Sequence, residues 1–309
     1  MKVFHRRTLQ DTDSMRWVGV LGRIVKVGVL ATWLMMDMSH GLVSAQTAPD
    51  PIAPKSPLVK VRNGQMVAPD IARILNRGEL VVALISSDSA PFFSEMDGAM
   101  VGTDVNVARL IGMELGIPVR FDRTAKTFEA VVDMAAEGRA DIGMGRLART
   151  TLRAQKVSFS TPYMTLQHSF IINRLEFSKI SGDRAAQSVI RNFNGTLGVI
   201  GRSAWEEFGR RNFPKAKIVT YTSWDMVLEA VKKGEVVAAY RDQFEIQKIM
   251  HADPGLALTL RTATFKDIES SLSLMIGIQD TALLSFVNEV ITMRHEKPTV
   301  AMLLKELKE

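Results

Sequence analysis

The chain has 309 residues, of which 46% are hydrophobic and 23% are charged. These values are typical of folded globular proteins and exclude a disordered or collagen-like chain. At about 150 residues per domain, the length allows one large domain or two medium-sized lobes. The sequence contains no cysteine, which excludes disulfide scaffolds, thiolate metal sites, cysteine nucleophiles and lipid attachment to an N-terminal cysteine.

The first 45 residues predict a secretory signal peptide. A basic stretch at residues 1–26 precedes an apolar run at residues 27–36, and Val43-Ser44-Ala45 supplies small residues at the positions that a signal peptidase reads. The run is shorter than the roughly 20 apolar residues of a membrane span. We therefore expect cleavage near Ala45 and release into the periplasm without a lipid anchor, with an uncleaved anchor as the alternative. Met1 and Met15 are both candidate start residues.

The charge and the histidines point to neither nucleic acid nor metal. Residues 1–45 hold six basic and three acidic side chains, so half of the net charge of +6 lies there. The excess on the rest of the chain is too small to indicate a nucleic-acid surface. His168, His251 and His295 have no metal-ligand spacing, so the sequence predicts no metal and no other cofactor.

After residue 45 the sequence predicts alternating strands and helices. Residues 46–68 are rich in proline and polar residues and predict a flexible lead-in. The predicted strands are residues 80–85, 119–121, 141–144, 196–200, 217–220, 236–240 and 271–277. The predicted helices are residues 69–76, 104–115, 128–137, 204–211, 225–232, 243–250, 280–294 and 299–308. Asp104 is expected to cap the second of these helices, and Gly116 to end it.

Alternating strands and helices predict parallel α/β layers. Two such series are joined by extended segments near residues 164–173 and 265–273, which suggests two lobes. We expect residues 69–168 to form the first part of lobe 1 and residues 169–272 to form lobe 2. Residues 273–309 are expected to return to lobe 1.

Two stretches look like catalytic or nucleotide motifs but lack a necessary part. G-M-G-R-L-A, from Gly143, has the letters of a dinucleotide fingerprint, yet no acidic residue stands near position 168 to hold a ribose. The stretch from Gly201 to Trp205 lacks the second glycine of a nucleophile elbow. It predicts a turn from a strand into a helix, with Ser203 near the helix cap.

An ordered set of motifs resembles the periplasmic solute-binding proteins of family 3, the amino-acid class that feeds ABC importers. The motifs are G-E-L-V-V-A from Gly78, P-F from Pro91, G-x-D from Gly102, L-G-I-P-V-R-F from Leu115, A-D-I-G-M from Ala140, T-x-x-R from Thr150, V-x-F-S-x-P-Y from Val157, G-T-L-G-V from Gly195 and G-E-V-V-A-A-Y-R-D from Gly234. The resemblance implies a type II periplasmic-binding-protein fold, in which two hinge-connected α/β lobes enclose a ligand cleft.

The resemblance also implies a set of ligand-binding residues. Arg153 matches the arginine that binds the ligand α-carboxylate, and Asp242 matches the aspartate that binds the α-ammonium. An arginine suits the first role because its planar fork donates two parallel bonds to a carboxylate. The other expected contacts are Phe128, Phe92, Gly145, Arg146, Ala148, Arg202 and Ser203.

Each of the main assignments has a structural alternative. Arg153 is otherwise a surface arginine, Asp242 the cap of the helix at residues 243–250, and Phe128 an ordinary core residue. Arg146, Arg202 and Arg241 also flank the inferred cleft, which favours an anionic ligand such as an acidic amino acid or a dicarboxylate.

The sequence therefore predicts a monomeric, non-catalytic binding protein. It is expected to capture an amino acid or a related carboxylate by lobe closure and to deliver it to the permease of an ABC importer. One alternative is an enzyme similar to the cyclohexadienyl dehydratases, which needs a general acid; Glu245 and Glu129 are the nearest carboxylates. Another is a solute-sensing module that docks on a receptor.

Overall fold

The computed structural model describes residues 57–294 and 298–307, so the predicted signal peptide and residues 46–56 of the predicted lead-in lie outside the described residues. Within those ranges, no helix has both the length and the apolar character that a membrane crossing requires. The strands are β1 (Val59–Lys60), β2 (Met66–Val67), β3 (Leu80–Ile85), β4 (Ser94–Met96), β5 (Ala99–Val101), β6 (Val119–Ala125), β7 (Ile142–Gly143), β8 (Val157–Phe159), β9 (Met164–Asn173), β10 (Thr196–Ile200), β11 (Lys217–Tyr221), β12 (Ala238–Asp242), β13 (Leu260–Leu272) and β14 (Met275–Gly277).

The helices alternate with these strands along most of the chain. They are α1 (Pro69–Arg77), α2 (Thr103–Leu115), α3 (Phe128–Ala136), α4 (Arg174–Ser181), α5 (Ala186–Arg191), α6 (Ala204–Asn212), α7 (Trp224–Lys233), α8 (Gln243–Ala252), α9 (Thr281–Met293) and α10 (Val300–Glu306). Two short 3-10 helices, Arg153–Gln155 and Pro254–Leu258, complete the described elements.

The first five-stranded sheet has the order β6-β3-β7-β14-β8. β3, the second strand in this order, is an uninterrupted apolar run, LVVALI, with all six residues buried. Such a run fits a strand that is covered on both faces. β3 pairs in parallel with β6 and β7, and β14 pairs antiparallel with β7 and β8. We call this sheet and the helices on it lobe 1.

The second five-stranded sheet has the order β11-β10-β12-β9-β13. β10 pairs in parallel with β11 and β12, whereas β9 runs antiparallel to both β12 and β13. We call this sheet and its helices lobe 2. The chain passes between the two sheets after β8 and again between β13 and β14. The two-lobed α/β fold is thus confirmed, while the exact lobe boundaries at residues 168 and 272 stay predictions.

Some local predictions differ from the structure. Part of the predicted lead-in forms a small hairpin of β1 and β2, because Asn63-Gly64 supplies a turn with Gly64 at φ 87°. The predicted strand at residues 271–277 covers two separate strands, namely the last residues of β13 and the whole of β14. α4 and α5 were not predicted at all. β12 lies two residues later than its predicted range.

The start of α2 explains why the P-F and G-x-D motifs occur together. The N-cap is Gly102 and makes no side-chain cap, so the prediction that Asp104 caps this helix is wrong. Instead, the N–H groups of Thr103 and Asp104 donate to the carbonyls of Pro91 and Phe92. A Cβ on Gly102 would lie 2.4 Å from the Phe92 carbonyl oxygen, so only glycine allows this approach. The contact fixes Phe92 beside the cleft.

Candidate functional site

A cavity lies where the carboxyl ends of the parallel strands of the two sheets face each other. This is the place where open α/β sheets generally bind ligands, because the loops that follow the strands converge there. The cavity holds ≈ 390 Å³ of empty space, part of it open to solvent. It is lined by Phe128, Arg146, Ala148, Arg153, Leu166, Ser203, Ala204, Trp205, Arg241, Asp242, Ser270 and Leu272.

Arg146 joins the two lobes through a buried ion-pair cluster. It follows β7 in lobe 1, and its Nη2 donates to Asp242 Oδ2 of lobe 2 at 2.8 Å. Its Nη1 donates to Glu245 Oε1 and, at 3.0 Å, to Ser89 Oγ. The exposed fractions of the Arg146, Asp242 and Glu245 side chains are 5%, 3% and 8%, so solvent screens these charges little.

Two aromatic rings complete the surroundings of the Arg146 guanidinium. Its Cζ lies 4.5 Å from the ring centre of Phe92 and 5.6 Å from that of Phe244. Burial alone would lower the pKa of Arg146, but Asp242 and Glu245 raise it above its usual value. Burial would likewise raise the pKa of Glu245, yet Arg146 and Arg241 hold it below its usual value. Arg146 and Glu245 therefore both keep their charges at neutral pH.

Asp104 holds the main chain of Arg146 in place. Arg146 has φ 59°, a left-handed conformation that is uncommon for residues other than glycine. Its N–H donates to Asp104 Oδ2, which also accepts from the Tyr163 hydroxyl, each at 3.1 Å. Asp104 is completely buried, and this burial raises the pKa of its carboxyl group to about 7, against the opposing effect of the bonds from Tyr163 and Arg146.

We expect Asp104 to make stability fall between weakly acidic and neutral pH. Its pKa is higher in the folded protein than in the unfolded chain, so the folded state keeps a proton between about pH 4 and pH 7 that the unfolded chain has lost. The contribution of that proton to the free energy of unfolding is full below this window and is lost as the pH rises through 7. The free energy of unfolding falls with a slope of at most about 1.4 kcal/mol per pH unit.

The Asp104→Asn variant should lose this slope in urea unfolding measured from pH 4.5 to pH 8. Asparagine resembles the protonated carboxyl group and can still accept the bonds from Tyr163 and Arg146. The exposed Asp183→Asn variant is the matched control and should keep the parent profile. An unchanged slope in Asp104→Asn would contradict the assignment.

Arg241 lines the cavity from lobe 2 with most of its hydrogen-bonding capacity unused. Its Nε lies 3.4 Å from Asp242 Oδ2 as an ion contact, but Nε and Nη1 are buried and make no hydrogen bond to any described residue. Its Cζ lies 5.4 Å, 5.9 Å and 6.0 Å from the rings of Trp224, Trp205 and Phe128. Burial and the nearby Arg146 lower the pKa of Arg241.

Arg153 enters the same cavity from lobe 1. It begins a 3-10 helix, and the exposed fraction of its side chain is 2%. Its Nε and Nη2 donate to Glu129 Oε1 at 2.9 and 2.7 Å, and its Nη1 donates to the Ala148 carbonyl at 2.8 Å. The surface alternative for Arg153 is therefore wrong. The guanidinium is held in a fixed orientation toward the cavity wall.

Two of the lining residues cap helices of lobe 2. The Ser203 hydroxyl accepts from the Trp205 N–H at the start of α6, as the sequence predicted. Asp242 Oδ1 accepts from the Glu245 N–H at the start of α8. Side chains at these positions compensate for the free N–H groups of the first helical turn. Asp242 is thus a helix cap and a cavity residue at once.

The structure brings most of the predicted site residues together. Phe128, Arg146, Ala148, Arg153, Ser203 and Asp242 all line the cavity. Phe92 lies behind it, against Arg146, and Gly145 lies against Leu84 and Phe93 at φ 105°. Arg202 borders a separate surface depression and donates its N–H to Glu206. Whether these residues bind a ligand stays a prediction.

Trp205, Ser270, Leu166 and Leu272 were missed by the sequence reasoning. Trp205 follows the predicted turn at Ser203, so its place at the start of a helix was available as a signal. The other three lie on β9 and β13, whose pairing brings residues about 100 positions apart side by side. No local pattern marks them.

A second, more open cavity adjoins the first at the mouth of the cleft. It holds ≈ 1130 Å³ of empty space, part of it solvent, and Phe128 and Arg241 line both cavities. Its walls carry the hydroxyl groups of Ser86, Ser87, Ser89, Thr127, Thr222 and Ser223. A ligand held at Arg241 can therefore extend into a polar chamber.

Further contacts hold the lobes together around the cavities. The Thr151 N–H and hydroxyl of lobe 1 donate to Glu207 Oε1 on α6, at 3.2 and 2.9 Å. Lys248 Nζ donates to the Ala90 carbonyl at 3.5 Å. The Phe92 and Phe244 rings meet edge to face at 5.1 Å. The described conformation is therefore a closed one.

Two α/β lobes around a cleft define the class of two-lobed periplasmic binding proteins. The ancestral amino acid-binding protein AncCDT-1, a precursor of cyclohexadienyl dehydratase, is 25% identical with a TM-score of 0.58, and the match covers 76% of this chain and 98% of that one. The substrate-binding protein AbpA of an amino acid ABC transporter from Streptococcus pneumoniae, solved with L-arginine, is 22% identical with a TM-score of 0.60 over 76% of this chain and 96% of that one.

The family follows from the sequence comparison. The model of the bacterial extracellular solute-binding proteins, family 3, matches residues 81–306. A probable amino-acid ABC transporter-binding protein of Haemophilus influenzae is 22% identical over 230 residues, which cover 72% of this chain and 82% of that protein. This chain belongs to the bacterial extracellular solute-binding proteins, family 3, and the resemblance seen in its motifs is confirmed.

Proposed function

We propose that this protein captures an amino acid or a related small carboxylate in the cavity between its lobes and delivers it to the permease of an ABC importer. The observation that carries the proposal is the meeting of three guanidinium groups, those of Arg146, Arg153 and Arg241, at one cavity where the lobes face each other. Arginine is the side chain best suited to hold a carboxylate. The similarity to binding proteins of amino-acid ABC transporters supports the transport role.

The proposed site consists of residues from both lobes. Arg153, Ala148 and Phe128 lie on one wall, and Ser203, Arg241 and Asp242 on the other. A ligand that touches both walls binds the closed form better than an open one, and differential affinity of this kind is what drives closure. We further propose export to the periplasm with cleavage near Ala45, which lies outside the described residues.

A binding role fits the cavity better than dehydratase chemistry. A general acid needs a proton to give, and hence a raised pKa. Glu245 has a lowered pKa because Arg146 and Arg241 stabilise its charged form, and Glu129 accepts two hydrogen bonds from Arg153. Asp104 has a raised pKa but does not line either cavity of the cleft.

A thermal-shift screen tests the proposal. The panel contains the twenty amino acids, dicarboxylates, prephenate and, as cations without a carboxylate, polyamines. A ligand at 100 times its dissociation constant adds about 2.7 kcal/mol to the free energy of unfolding, which a melting curve detects. We expect a shift with carboxylates and none with polyamines. A response to polyamines alone would contradict the proposal, and turnover of prephenate would favour the enzyme.

A further inference from the structure

Several hydrogen-bonding groups of the cavity are buried without a hydrogen-bond partner. Arg146 Nε, Arg241 Nε, Arg241 Nη1 and Ser270 Oγ are all buried and have no hydrogen-bond partner among the described residues. All four belong to residues that line the cavity. An arginine N–H can donate but never accept, and a serine hydroxyl can do either. Buried donors without partners are costly, so the cavity favours a ligand that brings acceptors.

The acceptors around the cavity are already in use. Asp242, the one carboxylate among the described lining residues, accepts from Arg146 Nη2 through Oδ2 and from the Glu245 N–H through Oδ1. The Ala148 carbonyl accepts from Arg153. The Ser203 hydroxyl accepts from the Trp205 N–H and donates to the Ile200 carbonyl.

A ligand ammonium group is poorly matched to these surroundings. It brings three donors and no acceptor, and of the four unpartnered groups only the Ser270 hydroxyl could accept from it, because the three arginine nitrogens are donors as well. It also adds a positive charge beside three guanidinium groups, at a place where burial weakens screening. The Arg146 guanidinium, bonded to Asp242 and Glu245 between two aromatic rings, already supplies the cation that these carboxylates require.

We propose that the ligand of this cleft is a small carboxylate without an α-ammonium group, and that Arg146 occupies the cation position on Asp242 and Glu245. The inference rests on the proposed function and narrows its substrate class. The ligand carboxylate bonds to Arg241 and Arg153, and its remaining atoms reach the polar chamber that Arg241 and Phe128 also line. The family resemblance implies that Asp242 binds the ammonium group of the ligand. In this chain Arg146 takes the place of that ammonium group.

Matched ligand pairs test whether the ligand lacks an α-ammonium group. The dissociation constants of the purified protein are measured by calorimetry for L-alanine and propionate, L-glutamate and glutarate, and L-arginine and 5-guanidinopentanoate. The members of each pair differ by the ammonium group. We expect the member without it to bind at least tenfold more tightly in every pair that binds. Tighter binding of an amino acid than of its ammonium-free partner would overturn the proposal of an ammonium-free ligand and leave the proposed function intact. Binding of no member, together with no thermal shift from any amino acid or carboxylate of the panel, would overturn both.

Variants of the two arginines give the second test. Arg241→Gln should weaken binding of the ammonium-free ligand more than tenfold, and Arg241→Lys, which keeps the charge, less. Arg191→Gln is the control, because Arg191 is exposed and lies outside both cavities. Arg146→Ser leaves Asp242 without its cation and should move the preference within each pair toward the amino acid, whereas Arg146→Lys should keep the parent preference. Unchanged affinity in Arg241→Gln, or an unchanged preference in Arg146→Ser, would overturn the proposal.

Discussion

Replacing Arg146 by alanine should lower the free energy of unfolding by about 3–5 kcal/mol, the usual cost of leaving buried charges without their partner. Asp242 and Glu245 are more than 90% buried, and both lose their principal cation in this variant. Arg241 remains near Asp242, but at 3.4 Å and without a hydrogen bond. Chemical denaturation at neutral pH measures the effect.

Two further variants separate the charge effect from ordinary truncation. Arg139→Ala removes an exposed arginine whose partner Glu137 is also exposed, and should change stability by no more than about 1 kcal/mol. The triple variant Arg146→Met, Asp242→Asn, Glu245→Gln removes the three charges of the cluster and should recover part of the lost stability, because neither carboxylate stays buried without its cation. The recovery is partial because Arg241 then keeps a buried charge without Asp242 beside it. Equal losses in Arg146→Ala and the triple variant would contradict this account.

The fold was predictable wherever the signal was local. β3 was visible as a run of six apolar residues, and α7 as a helix that ends at Gly234 in the left-handed conformation. α4 was missed although it carries a local signal: Asn173 caps the helix at the N–H of Glu176, the spacing of a capping box. β13 is different, because polar residues are spread along it and its pairing with β9 defines it.

The candidate site shows the same division between local and distant information. The order of motifs pointed to Phe128, Arg153 and Asp242, and the structure brings all three to one cavity. Phe128 follows β6, Arg153 lies between β7 and β8, and Asp242 ends β12. The partners of these residues were not predictable in this way. Arg146 bonds to residues 96 and 99 positions away, and Asp104 supports it from 42 positions away. Which charges neutralise each other depends on these distances in space. The sequence therefore favoured an anionic ligand, but it did not show which arginine remains available to bind that ligand.

Replacing Arg153 by alanine should weaken carboxylate binding by about 2–5 kcal/mol, since the ligand charge loses a desolvated partner. Arg153 is nearly completely buried, and its guanidinium is already oriented by Glu129 and the Ala148 carbonyl, so little ordering is needed on binding. Calorimetry with the ligand found in the screen measures the loss. Affinity within threefold of the parent would show that the carboxylate is held elsewhere.

Glu129 provides the complementary test, because it competes with the ligand for the same guanidinium. Both bonds from Arg153 Nε and Nη2 end on Glu129 Oε1, and about a quarter of the Glu129 side chain is exposed, at 26%. Glu129→Gln removes the competing charge and should tighten carboxylate binding by up to about 1 kcal/mol, the size of a partly exposed ion pair. In the Arg153→Ala background the same change should have no such effect, because the competition is gone. Weaker carboxylate binding in Arg153→Ala, tighter binding in Glu129→Gln and no effect of Glu129→Gln in the double variant would together identify Arg153 as the residue that holds the ligand. Weaker binding in Glu129→Gln would assign Glu129 a supporting role instead.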